Sequence, residues 1–237
     1  MHSFLKLVRL AVISSLGITA AQADIVEPFT GGQLSAPGWS TGIGADASNY
    51  LASPAPDGTY GLYLAEGVWS YNTNIAFNAG DTLSAWINPG PSATVDNNAQ
   101  GGRIFLGFDA GASGAYSFAA ASDTNQLGFA DNSTAYNTSD FSNSVTQNYQ
   151  DQWYRLSISL SADGTSATAS LFDIYGALLS SLTETGLNPS PNNGIALYGV
   201  GGAVVSSISI VPVPGAVWLF GTAISGLLFG MKRRQAV

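Results

Sequence analysis

Cysteine is absent from all 237 residues. That excludes a disulfide framework, thiolate catalysis and the thiolate-rich kinds of zinc site. Histidine occurs once, at His2, so the rest of the chain has no base for a Ser-His-Asp or Cys-His arrangement. Lysine and arginine total seven, and five of them (Lys6, Arg9, Lys232, Arg233, Arg234) lie near the two ends. Between those ends stand Arg103 and Arg155 alone, against twelve aspartates and three glutamates, which leaves the body at −13. Neutralising phosphates needs basic side chains, so nucleic acid is excluded as a partner. The same charge favours solubility, attracts cations and repels anionic surfaces.

The two ends carry addresses. Lys6 and Arg9 precede a short apolar core, Leu10 to Ile18, and Ala21-Gln22-Ala23 offers the small-x-small pattern that signal peptidase accepts. Residues 1–23 therefore read as a secretory signal peptide cut after Ala23. The apolar run is shorter than the roughly 20 residues a spanning helix requires. At the other end the chain reads VPVPGAVWLFGTAISGLLFGMKRRQAV. Gly215 to Met231 is uncharged over 17 residues; as a helix it would span about 25 Å, close to the roughly 30 Å of a hydrocarbon core. Lys232, Arg233 and Arg234 follow, and basic residues stay on the cytoplasmic side. Pro212 and Pro214 sit badly inside a helix and mark its outer boundary.

A proline motif, an apolar helix and a basic end in this order resemble the PEP-CTERM protein-sorting signal, over 211–234. The usual central Glu of that motif is replaced here by Val213. The resemblance implies recognition by an exosortase and cleavage near Val211, Pro212, Val213 and Pro214. The inner-membrane form would then be transient, followed by the cell surface or the extracellular space of an exopolysaccharide- or biofilm-forming Gram-negative bacterium. The alternative is a permanent single-span anchor.

The body, 24–210, is long enough for one domain with a substantial core. Its apolar residues alternate. In WYRLSISL, Tyr154, Leu156, Ile158 and Leu160 point one way and Arg155, Ser157 and Ser159 the other, the period of a half-buried strand. Asp163-Gly164 then signals a hairpin, followed by ATASLFD. Further strands are expected at 59–64, 70–77, 82–88, 103–108, 115–119, 126–130, 178–182, 194–198 and 204–211. Stretches 91–102 and 131–144 read as long loops. Many short strands between turn residues predict an all-β, two-sheet antiparallel sandwich. DTLSAWINP, RIFLGFD, WYRLSISLSADGTSATASLFD and the closing SSISIVP together resemble the concanavalin A-like lectin/glucanase superfamily, which includes laminin G-like domains. That implies a jelly roll, with SSISIV pairing near Ile25 to Phe29.

Site chemistry is sparse. Glycosidases need paired carboxylates, but Glu27, Glu66 and Glu184 are isolated, so no enzyme is expected. Calcium is the one cofactor the composition admits, with Asp96 and Asp131 in Asp/Asn-rich loops as ligand candidates; such residues also simply form turns. Carbohydrate binding needs aromatic platforms with polar edges. Tyr136, Phe141 and Tyr149 lie by the Ser/Thr/Asn-rich loop and are the exposed candidates, whereas Trp86 is expected in the core. Arg103 and Arg155 are expected to pair with acids on strand faces. The function expected is a non-enzymatic surface or matrix protein with exopolysaccharide as a partner. The alternative is a carbohydrate-binding, lectin-like module.

Overall fold

Alternating burial builds two layers. In Tyr154–Leu160 every second side chain is buried against the opposite sheet, while Arg155 and Ser159 are exposed. A computed structural model describes residues 23–40, 45–46, 54–59, 61–64, 69–90, 102–112, 114–132, 141–190 and 194–212. Ala23–Pro212 forms one compact unit. The residues up to 22 of the expected signal peptide and the expected membrane helix with its basic end lie outside the described residues. Among the described residues no helix is long and apolar enough to cross a membrane.

The larger sheet holds β1 (Asp24–Glu27), β3 (Ala45–Asp46), β4 (Leu62–Leu64), β6 (Thr82–Asn88), β11 (Tyr154–Leu160), β12 (Ser166–Phe172), β13 (Leu178–Thr185) and β15 (Ala203–Val211). Its order is β13-β12-β11-β6-β15-β4-β3, with β1 also on β15. The second sheet holds β2 (Trp39–Ser40), β5 (Ser70–Asn72), β7 (Arg103–Gly111), β8 (Gly114–Ala121), β9 (Gln126–Asn132), β10 (Asn143–Thr146) and β14 (Gly194–Val200), in the order β10-β9-β8-β7-β14-β5-β2. Described pairings are antiparallel throughout. The chain crosses between sheets after β1, β2, β4, β5, β6, β10, β13 and β14. The result is a two-sheet antiparallel jelly-roll sandwich.

Leu83, Ile87, Leu156 and Ile158 from the larger sheet meet Leu106, Phe108, Phe118 and Leu197 from the other in one continuous core. Each such side chain contributes about 1.5–3 kcal/mol on burial. Gly164 turns the β11–β12 hairpin at φ 74, a conformation that strains any residue with a Cβ. The closing strand does return to the start: Ile25 lies opposite Ser209. The 131–144 loop is shorter than expected at both ends. β9 runs to Asn132, and Asn143–Thr146 adds to it as β10. That strand has the burial pattern of an edge, with no fully buried residue, so its sequence carries no apolar alternation to read.

Candidate functional site

The outer faces of the two sheets differ. On the second sheet Phe105, Ala119 and Ala130 pack with Phe141 and Tyr198, so that face is largely covered by apolar groups. The larger sheet presents polar side chains outward from β6, β11 and β12. Its register aligns Trp86, Arg155 and Phe172 on three neighbouring strands, because Arg155 stands opposite Trp86 on one side and Phe172 on the other.

Beside this row lies a cleft of about 360 Å³, whose walls include Asp57, Ser84, Trp86, Arg155, Ser207 and Ser209. A register shift between Ser206 and Ser209 shapes it, with Ser207 at φ 48. Such a bulge bends a strand and re-aims its side chains. The hydroxyl of Thr59 donates to Asp57 Oδ1 at 2.6 Å, and the Thr59 N–H donates there at 3.1 Å. Thr59 Oγ1 also lies 2.5 Å from Ser206 Oγ and 3.2 Å from Ser207 Oγ. A hydroxyl has one proton, and that of Thr59 is committed to Asp57, so the two serines donate to Thr59. Asp57 thus retains one carboxylate oxygen for which no partner is formed in this chain of bonds.

Arg155 departs from the expected acid pairing. Its guanidinium lies over the Phe172 ring, 4.8 Å from the centroid, and the ion pair among the described residues is Arg103 to Asp123 at 2.5 Å. The reason is register: the strand neighbours of Arg155 are aromatic, not acidic. Phe172 therefore holds a flat guanidinium whose N–H edges remain available as donors. Trp86 also departs from expectation. It is half-buried on the outer face, packed at one end on Trp153, Ala55 and Val204, with its remainder on the cleft.

The aromatic candidates read from the sequence are not brought together. Tyr136 lies outside the described residues. Phe141 packs over Gly128 and 6.1 Å from the Phe105 ring. Tyr149 is only 5% exposed and meets Tyr154 edge-on, so it offers no ring face to a sugar. Burial pushes its hydroxyl pKa well above the usual tyrosine range, with Tyr154 adding to the rise. Of the calcium candidates, Asp96 lies outside the described residues and Asp131 is exposed at the end of β9, opposite Tyr116. Among the described residues no three His, Cys, Asp or Glu side chains gather as a metal site would need. Of the sorting motif, Val211 is the last residue of β15 and pairs with Thr82, and Pro212 follows it. Val213, Pro214 and the basic residues 232–234 lie outside the described residues, as does Ala21.

No protein-family model matches the chain. No curated protein matches it either. Among solved structures, a protein of unknown function from Shewanella oneidensis MR-1 is similar at 13% identity, over 85% of this chain and 91% of that one, with a TM-score of 0.47. The exoplasmic/lumenal domain of VIP36, in a form bound to Ca2+ and Man3GlcNAc, is similar at 11% identity, over 65% and 78%, with a TM-score of 0.49. Lectin II from Ulex europaeus is similar at 12% identity, over 64% and 86%, with a TM-score of 0.45. At these values the ligands in those names stay with those proteins, and the fold assignment here rests on the two sheets themselves.

Proposed function

We propose that the body is a non-enzymatic carbohydrate-binding module whose site is the cleft on the outer face of the larger sheet. The observation that carries this reading is the alignment of Trp86 and Arg155 beside the hydroxyls of Ser84, Ser207 and Ser209. A sugar presents an apolar ring face and a rim of hydroxyls. Trp86 supplies an aromatic surface for the first. The guanidinium, the serine hydroxyls and Asp57 supply donors and acceptors for the second. Asp57 is the one carboxylate among the residues lining the cleft, whereas glycoside hydrolysis uses two flanking the bond. Soluble oligosaccharides titrated by calorimetry, with hits taken from a glycan array run with and without calcium, test the site. Trp86→Ala and Arg155→Ala should each weaken binding about tenfold or more, equivalent to roughly 1.4 kcal/mol. Phe172→Tyr should keep binding and Phe172→Ala should lose it, because Phe172 positions the guanidinium. Binding to no oligosaccharide, or equal binding by all variants, would overturn the reading.

The module reaches the cell surface or matrix, in this proposal, by export and exosortase-type sorting. Support comes from the sequence signals and from β15 ending at Val211. A cut near Pro212 to Pro214 falls beyond the last strand and leaves every described pairing intact. Intact mass of the protein from its host should begin at Asp24 and end near that motif, alone or joined to a heavier group. A species that retains the segment to Val237 in the inner membrane would instead mean a permanent anchor.

A further inference from the structure

We infer that the carbohydrate site continues across the outer face of β6, β11, β12, β13 and the adjoining part of β15, and that its ligand is a long, neutral polysaccharide lying on that face. This rests on the carbohydrate reading of the cleft and names the substrate class. Pairing registers place Ser181, Ser170, Ser157, Ser84 and Ser209 in one row across five strands. The next row is Thr183, Thr168, Ser159 and Thr82. Phe172, Arg155 and Trp86 form the row on the other side of the serines. All are exposed or half-buried. Strands lie about 4.8 Å apart and same-face neighbours along a strand about 6.8 Å apart, so the hydroxyls form a regular two-dimensional grid.

Charge complementarity selects the occupant. The body carries fifteen carboxylates, yet none occupies a position in these three rows. Arg155 is the one charged side chain in these rows; the domain around it, at −13, repels anionic polymers, and rows without a carboxylate offer nothing to a cationic one. What the rows offer is donors and acceptors. Thr82 pairs with Ser159 at 2.9 Å, Ser84 with Ser209 at 3.0 Å, and Thr168 with Thr183 at 2.9 Å. Each such pair uses one proton of two, and leaves a proton and lone pairs for a ligand. Trp86 and Phe172 are two strand spacings apart, about 9–10 Å. That exceeds a single sugar ring, so one chain crossing the strands reaches both ends of the row. The grid then meets the hydroxyls of several consecutive sugars, and affinity grows with chain length.

The test measures depletion of the protein onto insoluble neutral polysaccharides (glucan, galactan, mannan, xylan and chitin) and onto alginate, with soluble di- to hexasaccharides titrated in parallel. Thr168→Asp/Ser170→Asp puts charge on β12, two strands from Trp86. Thr168→Val/Thr183→Val removes hydroxyls while keeping shape and strand preference, so it reports even where the aspartates impair folding. The wild type should bind at least one neutral polymer, insensitively to salt, with affinity rising about tenfold or more from disaccharide to hexasaccharide. Both grid variants should lose that gain and keep disaccharide binding at the cleft. Length-independent affinity, preference for alginate, grid variants that match the wild type, or a face-to-face dimer dissolved by the aspartates would each overturn the inference while leaving the cleft standing. Failure of the wild type to bind any sugar, short or long, would remove both.

Discussion

Glu27 is fully buried, without a basic partner among the described residues, and five neutral groups donate to it. Oε1 accepts from Phe29 N at 2.7 Å and Ser35 Oγ at 2.7 Å. Oε2 accepts from Ala36 N at 2.9 Å and Trp39 Nε1 at 2.7 Å. The Ser35 N–H is shared between the two oxygens at 3.1 and 3.0 Å. One side chain thereby folds residues 28–39 back onto β1. Glu27→Gln keeps the volume but turns one acceptor into a donor facing N–H or O–H groups, whichever way the amide is placed. A buried polar group left unpaired costs about 1–3 kcal/mol, and the urea midpoint should fall accordingly. A midpoint equal to the wild type would mean the cluster is replaceable by water. A lone glutamate in VEPF gives no hint of this role, since its donors are mostly backbone groups placed by a loop.

The β11–β12 hairpin is the element most fully legible from the chain, and its turn holds a titrating staple. Asp163 Oδ1 accepts from the Ser161 hydroxyl at 2.6 Å, and from the N–H and hydroxyl of Thr165, each at 3.0 Å. The Ser161 hydroxyl bond, then those of Thr165, hold the carboxyl down to about 2, below its ordinary 3.8. A depressed folded pKa means the turn's contribution is complete above 3.8 and is lost as pH falls through about 2. NMR titration of Asp163 should give a midpoint near 2, with turn amides exchanging faster over the same fall in pH; a midpoint at 3.8 would sink the argument. In Asp163→Asn the turn should lose this pH dependence. By contrast β2 and β3 have two residues each, too few for a period of two to register.

At the scale of the molecule, closure depends on partners far apart in sequence. Asp24 lies opposite Ile210, and the two strands that flank β15 on one side, β4 and β1, divide its length between them. Non-local pairing of this kind carries a loop-closure cost before any contact forms, so folding should be slow and should complete only once β15 is available. A chain that starts at Pro28 lacks both the β1 pairing and the Glu27 cluster. It should unfold at lower urea than Glu27→Gln, by the stability of the strand pair. Equal midpoints would mean that β1 adds nothing beyond its glutamate.

Composition and alternation by themselves excluded thiolate chemistry and determined the all-β class, most strand positions and the Asp163-Gly164 hairpin. They did so because each is a local property or a strong period. Tertiary structure decided which face of each strand meets solvent. A period of two separates the faces of TLSAWIN but does not say that Trp86 lies on the outer one. It also decided that Tyr149 is buried and that five serines from five strands stand in one row, spaced through 84–209 in the sequence. That row exists only because core packing fixes the register of each strand against its neighbours, and register between distant segments leaves no mark in either segment alone.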